Sequence, residues 1–136
     1  MALRGVSTLG ALAVVAGLLS AVRPAVAGDE AVATEGKRLA AQEAYRQAVD
    51  LFDHAKYAEA LAEFERAYAL APSFRISYNI GLSHAALGDS LSAVEALSRY
   101  LREGGERVPA ARRQEVGAEV ARLSEISLGI ICATMV

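Results

Sequence analysis

The sequence predicts an all-α fold, a helical-hairpin repeat array of about two and a half repeats. Three observations carry that reading. Apolar residues recur at helical spacing through successive segments, as at Leu39, Ala44, Ala48, Leu51 and Phe52. A small residue in one helix is followed, twice, by a second helix carrying Ala, a large apolar residue and a further apolar position. The two copies are in register: the same interval separates Ala48 from Gly81, Ala60 from Ala93, and Phe64 from Leu97. Self-similarity at a fixed period of about 34 residues marks repeat architectures, whose units cannot bury their apolar faces alone.

The chain of 136 residues opens on a segment that reads as targeting information. Met1–Ala27 has one early positive charge (Arg4), an apolar run from Gly5 to Val22, and Ala25-Val26-Ala27 before Gly28. This is the order of a secretory signal peptide with a small-residue cleavage site. The competing reading, a membrane anchor, meets a run at the lower edge of spanning length that Arg23 and Pro24 interrupt. Cleavage after Ala27 is expected, with no membrane insertion afterwards. No cysteine lies near that site to carry a lipid.

Gly28–Thr34 is small and polar and is expected to be a flexible leader, ahead of a helical domain over residues 35–126. The first helix is expected from Glu35 to about Ala55, and Lys56 sits in the tight turn. Tyr57–Ala71 forms its partner, with Ala60, Leu61, Phe64, Ala67 and Tyr68 on one face. Pro72 ends it, because proline cannot continue a helix. Ser73 is a natural N-cap for a helix running to Leu87. Gly88 supplies the left-handed stop, and Asp89 or Ser90 caps the next helix, to about Arg102. Glu103-Gly104-Gly105-Glu106 breaks it. Pro109 opens a capping helix over 109–126, with Arg112, Arg113, Glu115, Glu119 and Arg122 facing water and Val116, Val120 and Leu123 inward. The last stretch, 127–136, is rich in Ile, Leu and Val and reads as the start of a strand. Such a strand is an aggregation hazard unless it docks on the helices or pairs with another chain.

Charge and chemistry motifs exclude several functions. Fourteen basic residues face sixteen acidic ones, a net charge of −2, which becomes −4 once Arg4 and Arg23 leave with the signal. Neither nucleic acid nor an anionic membrane is an expected partner on that balance. Cys132 stands alone and cannot form an internal disulfide. His54 and His84 have no nucleophile or second ligand at catalytic or metal spacing, and paired carboxylates such as Glu63 and Glu65 sit on helices of ordinary polarity. There is no nucleophile elbow, phosphate loop or H-E-x-x-H motif, and Gly104-Gly105 is explained as a helix-ending loop. The expectation is a non-enzyme, with no catalytic residue, cofactor or metal.

These residues resemble the tetratricopeptide repeat (TPR) family. The first repeat, about 41–73, matches its pattern at Ala48, Tyr57, Ala60, Phe64, Ala67 and Pro72, with Ala55 where the turn wants glycine. The second, about 74–107, matches at Gly81, Gly88, Asp89 and Ala93. It has Leu97 in place of phenylalanine and Tyr100 in place of the last alanine, and Pro109 comes late. Gly117 lies near the small position of a further, incomplete repeat. The run Val108–Leu123 leading into an apolar stretch is also similar to myxobacterial envelope proteins in which such repeats precede a PEGA-type β-sandwich. That second resemblance makes the chain either a truncated relative or part of a longer gene product.

The first resemblance implies a concave groove lined by the first helices of successive hairpins, holding an extended or helical peptide. Carried over residue by residue, the groove comprises Gln42, Tyr45, Arg46, Val49 and Asp53, then Arg75, Tyr78, Asn79 and Leu82, and Gln114 on the third helix. Tyr45 and Tyr78 offer rigid contact area, or are packed between helices instead. The family's clamp for a C-terminal carboxylate is absent, since Val49 and Leu82 occupy positions where it uses asparagine. The function expected is an exported protein-binding scaffold or adaptor in the periplasm or envelope of a Gram-negative bacterium. The alternatives are a self-assembling structural element, possible as a homo-oligomer, and an accessory domain of a larger envelope protein.

Overall fold

The computed structural model describes residues 27–134, so the expected signal peptide lies outside the described residues. Among the described residues the fold is all-helical. Five helices follow one another, α1 (Ala27–Asp53), α2 (Tyr57–Leu70), α3 (Phe74–Ala86), α4 (Ser90–Gly104) and α5 (Ala110–Thr134), with a 3₁₀ turn at Gly105–Arg107 between the last two. Three-residue connections fold α1 onto α2 and α3 onto α4, while α2 packs on α3 and α4 on α5.

The turns that close the two hairpins are the same turn. Lys56 N–H donates to the Leu51 carbonyl and Ala55 N–H to Phe52, both at 2.9 Å. In the second hairpin, 33 residues further on, Asp89 N–H donates to the His84 carbonyl at 2.9 Å and Gly88 N–H to that of Ala85 at 3.1 Å. This double bond pattern satisfies the last helical carbonyls and places the residue after the cap in the left-handed region. Gly88 takes it at φ +80°, and Ala55 takes it at φ +58° despite its Cβ. The helix that follows Gly88 is capped by Asp89, whose Oδ1 accepts from Ser92 N–H at 3.1 Å.

Small residues set how closely the helices approach. Ala48, Ala60 and Ala93 are fully buried. A Cβ added at Gly81 would stand 2.7 Å from Leu97 Cγ, closer than real carbon contacts allow. Phe64 and Leu97 fill the two hairpin interiors at 1% exposure each. One core forms around Phe64 from α1, α2 and α3, with Ala96 of α4; a second forms around Leu97, Tyr100, Val108, Val116 and Leu123. Gly104 closes the second core, because a Cβ there would collide with Val108 and reach 2.9 Å from Phe74 Cδ2.

Two expectations about the ends are corrected. Residues 127–134 are not a strand but the last two turns of α5. A helix pairs its own backbone, whereas a strand there would have no neighbour among the described residues. Ser124 and Ser127, which could have broken the helix, bond the Val120 and Leu123 carbonyls one turn back, at 2.7 and 3.0 Å. At the other end residues 28–34 belong to α1 rather than to an irregular leader, with Val32 72% exposed. Glu30, Ala31 and Ala33 are good helix formers, and a Glu35–Arg38 pair follows one turn on.

Candidate protein-binding groove

The expected groove residues fall on α1, α3 and α5, and the structure draws them into two hollows. The first, of about 470 Å³, lies between α1 and the entry to α3 and is lined by Arg38, Gln42, Tyr45, Ser73, Arg75 and Ile76, with Ala41 and Ala71. The second, of about 210 Å³, lies between α3 and α5 and is lined by Tyr78, Leu82, Leu97, Glu115, Val116 and Glu119. Gln42, Tyr45 and Arg75 therefore meet in one place, and Tyr78 and Leu82 in the other.

Both tyrosines are half-buried and tied across the groove. Tyr45 packs edge-on against Phe64, with ring centroids 5.6 Å apart, and its hydroxyl accepts from Asn79 Nδ2 at 2.9 Å. Tyr78 packs against Tyr100 at 5.1 Å, and its hydroxyl lies 3.4 Å from Arg112 Nη1. They are packed between helices and line the groove at once, each keeping one flank in its hollow. Asn79, expected as a ligand contact, is committed to Tyr45.

The other expected positions are not drawn in. Arg46 is exposed and pairs with Glu43 on its own helix. Val49 and Asp53 are on the surface and line neither hollow. Gln114 is exposed and also outside both. It lies 33 residues after Gly81, the spacing that relates Gly81 to Ala48, and neither of those two is among the residues that line the hollows. Arg112 and Glu115, the same interval after Asn79 and Leu82, hold the groove register on α5. The period could have found these two from the sequence.

Charge differs between the hollows. Glu115 and Glu119 border the second, paired with Arg112 at 3.1 Å and Arg122 at 2.5 Å. The hydrogen bond from Arg122 holds the Glu119 carboxyl below the ordinary carboxylate range, with the guanidinium charge adding to it. The first hollow has no carboxylate in its lining. Arg38 is bonded to Glu35, just outside that lining, at 2.5 and 2.8 Å, and this hydrogen bonding lowers the Glu35 pKa. Arg75 has no carboxylate partner among the described residues and stands 5.8 Å above the Phe74 ring.

Chemistry-bearing groups elsewhere are locally occupied. His54 Nδ1 lies 2.7 Å from the Asp50 carbonyl at the end of α1, and His84 Nδ1 lies 3.3 Å from Asp89 Oδ2. Among the described residues no cluster of three His, Cys, Asp or Glu is placed to hold a metal ion, and Cys132 is exposed on α5. No described helix is long and apolar enough to cross a membrane. Compared with models of protein families, with curated proteins and with solved structures, the chain matches none.

Proposed function

We propose that this chain is an exported, non-enzymatic binding module of the tetratricopeptide-repeat kind, which holds an extended segment of a partner protein across α1, α3 and α5. The observation that carries the reading is the pair of adjacent hollows, each walled by a tyrosine fixed by the following first helix. The repeat assignment is supported by the shared register: buried small residues, hairpin turns and tyrosine hydroxyl contacts each recur one repeat interval further on. Rigid aromatic walls with apolar floors are what a peptide groove uses, since they lose little entropy on binding.

Selection of phage-displayed peptides on the purified protein tests the proposal. Enriched peptides should lose binding to Leu82→Asp while circular dichroism of that variant stays at wild type. Failure to enrich any peptide, or binding indifferent to Leu82→Asp, would remove the groove reading.

A second reading, self-assembly, is favoured by one observation. The far end of α5 and the start of α4 expose Leu128 at 62% and Leu91 at 68%, around an apolar hollow of about 220 Å³. Light scattering decides it: deletion of residues 126–136 should turn an oligomer into a monomer. A full-length protein that is already monomeric ends this reading.

A further inference from the structure

We draw no further inference here: the strongest candidate, the apolar hollow between the start of α4 and the distal end of α5, lined by Leu91, Val94, Ser124, Ser127 and Leu128, is an unpartnered face already given to the self-assembly reading, and nothing in the structure shows what covers it.

Discussion

Asn79 donates to the Tyr45 hydroxyl at 2.9 Å, and the same relationship recurs between Arg112 and Tyr78 at 3.4 Å. Each contact joins a first helix to the next first helix, 34 residues along the chain. The ring ends are fixed as well, on Phe64 and on Tyr100. Tyr45 and Tyr78 therefore act as spacers between successive first helices, each beside the hollow it lines.

Their hydroxyls should count unequally. Tyr45→Phe leaves the half-buried Asn79 amide without its partner and should cost about 0.5–1.5 kcal/mol. Tyr78→Phe breaks a longer contact to an exposed arginine that retains Glu115, so its cost should be smaller. Urea unfolding of the two variants gives the order, and a larger loss for Tyr78→Phe would contradict the spacer account.

The two hairpin turns give a matched pair of substitutions. An L residue in the left-handed region costs roughly 1–2 kcal/mol, and glycine returns part of that gain, about 0.4–1 kcal/mol, through a more flexible unfolded chain. Ala55→Gly should therefore stabilise by about 0.5–1 kcal/mol, and Gly88→Ala should destabilise by a similar amount. Opposite signs in thermal or urea unfolding are the expected result. A destabilised Ala55→Gly would mean that the first turn does not hold φ +58° in solution.

The small interior positions should resist enlargement. Gly81→Ala pushes a methyl into Leu97, and Ala60→Leu and Ala93→Leu overfill sites with no exposure. Each should lose about 1–3 kcal/mol. Unchanged melting in all three would show that the hairpins do not pack through these contacts.

Ser77 runs the other way. Its side chain is fully buried and its Oγ has no hydrogen-bond partner. An unpaired buried hydroxyl costs about 1–3 kcal/mol, so Ser77→Ala, which also raises helix propensity, should stabilise by about 1 kcal/mol. A loss of stability of that size would show that Oγ is satisfied in solution.

What was legible in the sequence was the part governed by local signals. Pro72, Gly88 and Pro109 mark helix boundaries because each fixes or frees a backbone angle regardless of distant contacts, and α2, α3, α4 and α5 begin or end within a few residues of them; Ser73 takes the N-cap position of α3 but makes no side-chain cap bond. The repeat spacing likewise placed Ala48, Ala60, Phe64 and their partners in the interiors. The distal end of α5 was not legible: Ile126, Ile130 and Ile131 carry strand propensity, and among the described residues no strand is present to pair with them. Nor was the division of the groove into two hollows. That Asn79 turns to Tyr45, and that Arg46 turns back to Glu43, depends on side-chain geometry that spacing does not specify.

Asp89 should make stability depend on pH. Its carboxylate accepts from the Ser92 side chain first and the Ser92 backbone N–H second, with the His84 charge adding to these, and together they lower its pKa from 3.8. A carboxyl whose folded pKa is lowered stabilises the fold above its unfolded value and loses that contribution as pH falls through the folded one. As the N-cap of α4 it should be worth about 1 kcal/mol at pH 7, where Asp89→Ala removes the acceptor. The gap between wild type and variant should shrink as pH falls below about 4, as protonation weakens the cap in the wild type alone. Urea unfolding at pH 7, 5 and 3 measures it. A gap that persists unchanged at pH 3 would mean that the charge on Asp89 contributes nothing to the cap.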